Sequence, residues 1–261
     1  VYLCVVSTAL VAGLALTSHT SKAYAQDQNC GRGVGVVSGN EPIVCGSGGK
    51  RTLNSSGGDI NIDMDGGKGS EEAAVTVKGP GTNITIIKSL KVIKGRSGSQ
   101  NLPVIKVLNK GQLTLDQEVD VKGVKGMQKV ISVDGQGSSV TLNGKLTGFE
   151  GGEVKVSNEG MVVLGKGVEG IEGMKVGIDG GGTVRLMKDV AFDNDAEAGI
   201  QIKGSGAGKA SVIGVGSSTT MTVNGTGADG VGIQMDGTGG TANVVMLKIV
   251  GSGAGSTGKG V

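Results

Sequence analysis

A pattern of apolar residues recurs after 22 residues in the middle of this chain, and it restricts the possible folds more than any other feature. Between residues 154 and 190, two apolar-x-apolar triplets are followed by one further apolar residue, and this pattern occurs twice. The matching pairs are Val154 and Val176, Val156 and Ile178, Val162 and Val184, Leu164 and Leu186, and Val168 and Val190. A period of this length is typical of proteins built from stacked repeats.

The pattern continues in both directions with looser spacing. Toward the N terminus it comprises Val75, Val77, Ile84, Ile86 and Leu90, then Ile105, Val107, Leu113, Leu115 and Val119, then Ile131, Val133, Val140, Leu142 and Leu146. Toward the C terminus it comprises Ile200 and Ile202, a strand somewhere in SVIGV, and then Val231, Ile233, Val244, Met246 and Val250. The pattern therefore predicts about seven turns of 22 to 31 residues.

Each triplet alternates with the period of a β-strand, so its two apolar residues face inward and the residue between them faces water. A helix would need apolar residues steadily at i+3 and i+4, and frequent glycine opposes it. Short parallel strands can instead pair with their equivalents one turn later, at about 4.8 Å per turn. We therefore predict an all-β fold, a right-handed parallel β-helix, since parallel crossovers have this hand.

The composition of the chain fits a narrow apolar core. Of 261 residues, 53 are glycine, and there are two Phe, two Tyr and no Trp. So much glycine is also found in low-complexity disorder, but the repeated valine and isoleucine triplets favour a folded column. The formal net charge of +2 is too balanced to indicate nucleic acid as a partner.

Residues 1–25 have the pattern of a secretory signal peptide. An apolar run from Val1 to Leu16 is followed by Ala23, Tyr24 and Ala25, which predicts cleavage before Gln26. The charged start of such a signal is missing. The apolar run is short for a membrane span, although an uncleaved anchor is the alternative. The only histidine, His19, belongs to this segment.

The mature chain retains two cysteines, Cys30 and Cys45. In an exported protein, such a pair is expected to form a disulfide, which stabilises the fold by about 3 kcal/mol for a loop of this size. We expect it to close the N-terminal end, within a cap and first irregular turn at residues 26–74. Residues 75–261 would then form the β-helix, which we expect to be incomplete at its C terminus.

A signal peptide, an early cysteine pair and glycine-rich turns together resemble the N-terminal part of the pertactin-like passenger domain of bacterial type V autotransporters. CGRGVGVVSGNEPIVCGSGG, from Cys30 to Gly49, is similar to the start of passengers from host-associated Gram-negative bacteria. The resemblance implies a protein at the cell surface or outside the cell, acting in virulence as an adhesin or ligand for a host cell-surface receptor. In that family a C-terminal outer-membrane barrel translocates the passenger, and we expect that barrel to be absent from this chain.

The sequence offers little support for an enzyme with a histidine base, a nucleotide site or a metal site. The mature chain has no histidine for a Ser-His-Asp triad. GTGADG at 225–230 and KGSGAGKAS at 203–211 resemble phosphate-binding loops, but turn glycines explain them better. Asp193, Asp195 and Glu197 alternate as calcium ligands do, although a solvated acidic turn is favoured. We predict no cofactor and no metal.

Two other functions fit the predicted fold. Polysaccharide lyases and hydrolases also use β-helices, but their sites usually need paired carboxylates and aromatic platforms for sugar rings. Only Phe149 and Phe192 remain in the mature chain as aromatic residues, and no carboxylate pair can be placed across a groove. The second alternative is a purely structural stalk.

The best predicted binding site is a basic stretch. From Lys88 to Lys129 the chain has nine basic residues and three acidic ones. If they stack on neighbouring turns, six lysines would form a positive face for sulfated glycans or acidic surfaces. These are Lys88, Lys91, Lys106, Lys110, Lys122 and Lys125. The alternative is that they are solvated lysines without a ligand.

Overall fold

A computed structural model describes residues 27–31, 33–64, 73–94, 102–124, 129–193, 198–204, 208–216, 219–224, 231–236 and 241–252. These residues form 23 β-strands, and all pairings between the strands are parallel. Each strand pairs with its equivalents in the turns before and after it. The chain is therefore an all-β parallel β-helix, as predicted. The signal peptide at residues 1–25 lies outside the described residues.

The strands form three faces around a common core. Face 1 contains β2 (Ile43–Cys45), β5 (Val75–Lys78), β8 (Ile105–Leu108), β11 (Lys129–Asp134), β18 (Ile200–Lys203) and β21 (Ile233–Asp236), with the second halves of β13 (Leu146–Ser157) and β15 (Gly170–Asp179). Face 2 contains β1 (Val34–Val36), β3 (Gly49–Asn54), β6 (Thr82–Ile86), β9 (Gln112–Leu115), β12 (Ser139–Leu142), β14 (Met161–Leu164), β16 (Thr183–Leu186), β19 (Ala210–Gly214) and β22 (Ala242–Val245).

Face 3 contains β4 (Ile60–Asp63), β7 (Leu90–Lys94), β10 (Val119–Asp120), β17 (Val190–Asp193), β20 (Thr219–Asn224) and β23 (Leu247–Ser252), with the first halves of β13 and β15. Because β13 and β15 pass from face 3 of one turn to face 1 of the next, these two faces form a single 14-stranded sheet. Face 2 is a separate sheet of nine strands.

The inward side chains of each face form continuous apolar columns, as the sequence predicted. One column of face 1 runs through Val75, Ile105, Ile131, Val154 and Val176, each in register with the next. All five are fully buried. Since full burial of one such side chain contributes about 1.5–3 kcal/mol, every turn adds a similar increment of stability.

Eight turns stack in this way, because residues 43–63 already form a complete turn of three strands, β2, β3 and β4. All three strands lie within residues 26–74, for which a cap and an irregular first turn were predicted. Ile60 of β4 pairs with Leu90 of the next turn. The β-helix thus begins before residue 75.

The register on face 3 differs from the prediction in the central repeat. The sequence pattern matches Val168 with Val190, whereas the structure pairs Ile171 with Phe192. Val168 lies in the corner before β15, where its N–H donates to the carbonyl of Gly165 at 3.1 Å. Corners of different length shift the strands relative to the sequence period, so the predicted match was wrong for this column.

A similar shift occurs near the C terminus. Ile200 and Ile202 pair with Ile233 and Met235, so the proposed equivalence of Val231 and Ile233 to them was wrong by two residues. The strand predicted in SVIGV is confirmed as β19.

The last turn on face 3 also departs from the pattern. The sequence analysis did not identify β20, whose Met221 is buried and pairs with Ile249. The predicted inward residue Val250 pairs instead with Thr222. Met246 lies between β22 and β23 and is 64% exposed, so it is not a core residue.

The corner between faces 1 and 2 uses left-handed backbone. Consecutive residues with positive φ occur at Asn109 and Lys110 (53° and 68°), at Asn158 and Glu159 (51° and 63°), and at Gly180 and Gly181 (54° and 79°). Asparagine and glycine tolerate this conformation, whereas lysine and glutamate rarely adopt it. The repeated geometry turns the chain from face 1 to face 2 without a long loop.

A disulfide and an arginine close the N-terminal end of the core. Cys30 and Cys45 are bonded, with their Cα atoms 5.6 Å apart, and this confirms the predicted pair. Cys45 is fully buried and in register with Val77, so it belongs to an apolar column. Arg51 is in register with Ile84 and therefore starts another column. The N-terminal end of the core is thus covered by the disulfide and by the Arg51 side chain.

Candidate ligand-binding face

The lysines of the predicted positive face are distributed over the molecule. Lys106 lies on face 1, in register with Ser132, whereas Lys91 lies on face 3, in register with Asp120. Lys110 lies in the corner between faces 1 and 2. Lys88 lies between β6 and β7, Lys122 follows β10, and Lys125 is outside the described residues. The five described lysines thus do not form one stacked row, because their places within a turn differ; polyanion binding by them stays a prediction.

A different surface, on face 2, carries two regular rows of polar side chains. On face 2, four threonines stack in register on successive turns: Thr52, Thr85, Thr114 and Thr141. A second outward row beside it consists of Lys50, Asn83, Gln112 and Ser139. We call these eight residues the polar ladder. None of them is acidic or apolar, and successive turns lie about 4.8 Å apart.

Two amide side chains of the polar ladder are bonded to each other. The Asn83 Nδ2 donates a hydrogen bond to Gln112 Oε1 at 3.1 Å. This bond fixes both amides relative to the strands and leaves Asn83 Oδ1 as an acceptor and Gln112 Nε2 as a donor. The pair therefore offers an ordered acceptor and an ordered donor to a ligand.

Two shallow grooves lie on this part of face 2. The first, which we call the lysine groove, measures about 160 Å³, and its lining includes Lys50, Asn83, Lys110 and Gln112. The second measures about 370 Å³ and extends from Val34 across Thr52 and Thr85, and it shares Lys50 and Asn83 with the first. The shared residues place the two grooves side by side along the polar ladder.

The corner backbone fixes the position of Lys110. Its φ is 68°, and its N–H donates to the Oγ of Ser138 in the next turn at 3.0 Å. Ser138 is only 1% exposed, so the hydrogen bond is sheltered from water. A lysine in left-handed conformation costs about 1–2 kcal/mol, and such outliers are concentrated at functional sites. Among the described lysines of the predicted face, only Lys110 is held in this way by a corner.

The rest of face 2 is less uniform. Beyond β12, the two outward rows contain Met161 and Val163, Thr183 and Arg185, Ser211 and Ile213, and Asn243 and Val245. Apolar and polar residues therefore mix, and the polar ladder is confined to β3, β6, β9 and β12.

Charged side chains on the other faces pair with each other. On face 3 the Lys145 ammonium contacts the Glu172 carboxylate. The hydrogen bond from this contact raises the pKa of Lys145, against a smaller opposing effect of desolvation, and the charges of Glu118 and Asp193 add to the rise. Lys145 therefore stays protonated at neutral pH and is unsuited to act as a general base.

On face 1, Lys155 lies 3.8 Å from Asp179, and Lys203 lies 3.8 Å from Glu153. Such partly exposed pairs contribute little stability individually. They pair two lysines of this face with carboxylates, whereas neither Lys50 nor Lys110 has a salt-bridge partner among the described residues.

The predicted calcium cluster is only partly described. Asp193 accepts a hydrogen bond from Asn224 at 2.6 Å, while Asp195 and Glu197 lie outside the described residues. Within the described ranges, no group of three His, Cys, Asp or Glu side chains could hold a metal ion. GTGADG also lies outside them, as do residues 205–207 of the other glycine-rich segment.

Sequence reasoning did not identify Lys50, Asn83, Gln112 or the threonine row. A signal for them was present, because the residues on either side of an inward position read Asn-x-Thr, Gln-x-Thr and Ser-x-Thr on three successive turns. These motifs begin at Asn83, Gln112 and Ser139. The apolar columns established their register, so the outward rows followed from the same alignment.

Comparison with known proteins finds no matching family model, no matching curated protein and no matching solved structure. In the part of the chain that the structure describes, no helix is long and apolar enough to cross a membrane.

Proposed function

We infer that this chain is an exported, surface-displayed β-helical passenger of the autotransporter type, which acts by binding host cell surfaces as an adhesin or ligand. The observation that carries this proposal is the disulfide between Cys30 and Cys45 at the end of the stacked column. Disulfides persist in oxidising compartments, which supports export of the chain. The signal-like segment at residues 1–25 supports the same conclusion.

The shape of the molecule supports a binding role. Eight stacked turns at about 4.8 Å each give a column of about 40 Å in which every turn presents outward residues on three faces. A column of this kind has a rigid backbone, since every strand is paired and the inward side chains are mostly apolar. Its function is carried by surface residues and corners rather than by the fold itself.

The proposal is tested by binding of the purified chain without residues 1–25 to host cells. Circular dichroism first establishes that the protein is folded and rich in β structure. Saturable binding to cells is the expected result, and a chain with Cys30→Ser and Cys45→Ser, kept below its melting temperature, is the control for the cap. Folded protein that does not bind at any concentration would contradict the adhesin or ligand function and leave a structural stalk.

Export has a separate test. The full chain, preceded by Met and two lysines that supply the charged start of the signal, is expressed in a Gram-negative host, and thiol alkylation is measured before and after reduction. We expect Cys30 and Cys45 to resist alkylation until they are reduced, and the protein to be recovered outside the cytoplasm. Recovery in the cytoplasm with both thiols free would contradict the proposed localisation.

A further inference from the structure

We propose that the polar ladder and the lysine groove form a binding site for an extended anionic glycan that lies along the axis of the β-helix. The inference rests on the proposed binding function and names its site and the chemical class of its ligand. Its site differs from the row of six lysines predicted from sequence, because only Lys110 is common to both.

The outward rows have the hydrogen-bonding groups that a sugar ligand requires. A sugar polymer presents many hydroxyl groups, which both donate and accept hydrogen bonds. The threonine hydroxyls of the polar ladder can do the same, and the amides of Asn83 and Gln112 add an acceptor and a donor in fixed positions. Because these groups repeat on successive turns, a chain of similar units can bind them repeatedly along the axis.

Two lysines place positive charge at the outward rows. Lys50 in β3 and Lys110 after β8 line one groove, although they belong to turns that are two apart. Neither lysine has a salt-bridge partner among the described residues, whereas Lys145, Lys155 and Lys203 on the other faces are paired with carboxylates. Sulfate or carboxylate groups of a glycan would complement these two charges.

The composition of the polar ladder favours a glycan over nucleic acid as the ligand. Proteins that bind single-stranded nucleic acid stack its bases on aromatic side chains. The polar ladder contains no aromatic residue, and Phe192 is fully buried in the core. A surface of hydroxyls, amides and two lysines instead matches the hydroxyls and anionic groups of a polysaccharide.

The test is a titration of the chain without residues 1–25 with a size-defined heparin oligosaccharide at physiological salt. The paired variant Lys50→Ala/Lys110→Ala should weaken binding about tenfold, because it removes two charge-assisted contacts. The matched control Lys166→Ala/Lys188→Ala carries the same net charge, and because both lysines are exposed and lie beyond the polar ladder, it should change the affinity by less than about twofold. Equal losses in the two variants would overturn the proposal, since they would indicate general attraction to net charge.

A second pair of variants tests the neutral part of the site. Asn83→Ala/Gln112→Ala removes the ordered amides without a change of charge, and we expect about fivefold weaker binding. Thr183→Ala/Ser211→Ala removes two polar groups from the same face beyond the polar ladder, and should have no effect. An unchanged affinity of the amide variant would overturn the proposed site, provided that circular dichroism shows it folded.

Two further outcomes separate this inference from the proposed function. If the unmodified chain binds cells saturably but does not bind heparin, the glycan site is overturned and the binding function stands. If it binds single-stranded DNA of equal charge as tightly as heparin, the ligand class is overturned. Failure of cell binding together with retained heparin binding would contradict the host-cell function alone.

Discussion

At the scale of single residues, Arg51 resolves a problem that every stacked core has at its first turn. Its guanidinium donates to Asp27 Oδ2 at 2.6 Å, to the Cys30 carbonyl at 3.1 Å and to Ser47 Oγ at 2.6 Å. The Arg51 side chain is only 8% exposed, so a buried charge takes a place that an apolar residue occupies in later turns. This charge is tolerated because it is paired and hydrogen-bonded.

Asp27 completes this arrangement. Burial alone would raise the pKa of its carboxyl, but hydrogen bonds from the Ser47 hydroxyl, from Gly46 N–H and from Arg51 outweigh burial and lower the pKa from 3.8 to about 2. A carboxyl with a lowered pKa stabilises the fold above its ordinary pKa and loses this contribution as the pH falls toward the folded value.

We therefore predict that Asp27→Asn lowers the melting temperature at pH 7, and that the difference from the unmodified protein shrinks as the pH falls from about 4 to 2. Asp59→Asn is the matched control, because Asp59 is exposed. Thermal unfolding of the three proteins across this pH range is the measurement. A difference that stays constant down to pH 2 would show that the Asp27 charge is not involved.

The sequence allowed prediction of the disulfide but not of the Asp27–Arg51 pair. The two cysteines after residue 25 have only each other as partners, whereas 25 basic and 23 acidic residues have many possible partners. Arg51 was recognisable only once the register with Ile84 showed that it starts a core column. The pairing of charges depended on the cap fold, which has no periodic pattern.

At the scale of the strands and corners, glycine allows successive turns to approach closely. Gly144 lies in the corner after β12, and a Cβ there would be 2.3 Å from the carbonyl carbon of Gln117 in the previous turn. Backbone atoms cannot move aside as a flexible side chain can. The spacing of the turns at this corner therefore requires glycine.

We predict that Gly144→Ala destabilises the protein by about 1–3 kcal/mol, as overpacking does in a tight core. Gly57→Ala is the control, because a Cβ at Gly57 would meet no atom within 4 Å, and its effect should stay within about 0.5 kcal/mol. Denaturant-induced unfolding gives both values. Equal stability of the two variants would contradict the close approach at Gly144.

The corners also explain why the positions of the strands were easier to predict than the pairs of residues that lie in register on successive turns. Alternation of two residues identified most strands, such as β5, β6 and β8, directly from the sequence. Corner length has no such signature, so Val168 was matched with Val190 although Ile171 pairs with Phe192. The predicted alignment of the six lysines also depended on corner length, and the described lysines lie at different positions within a turn.

At the scale of the whole molecule, each turn contacts only its neighbours. The stability of such a stack is approximately a sum of terms for single turns and for the interfaces between them. A change at one end should therefore remain local over several turns.

We predict that Cys30→Ser/Cys45→Ser accelerates amide hydrogen exchange in β1, β2 and β3 but leaves β14 and β16 unchanged. Loss of the disulfide removes about 3 kcal/mol from the cap, and the stack confines this loss to the first turns. Hydrogen exchange followed by mass spectrometry, with Ser38→Ala as the control, measures the effect strand by strand. A uniform acceleration along the chain would contradict nearest-neighbour stability.

The direction of the hydrogen bonds between turns has a mechanical consequence. Because the strands run across the column, these bonds point along its length. Tension applied to the two ends of the column would open the terminal interface first and peel turns away in sequence. The chain would lengthen by steps of one turn and refold when the tension falls. The disulfide between Cys30 and Cys45 would keep the N-terminal end covalently linked throughout.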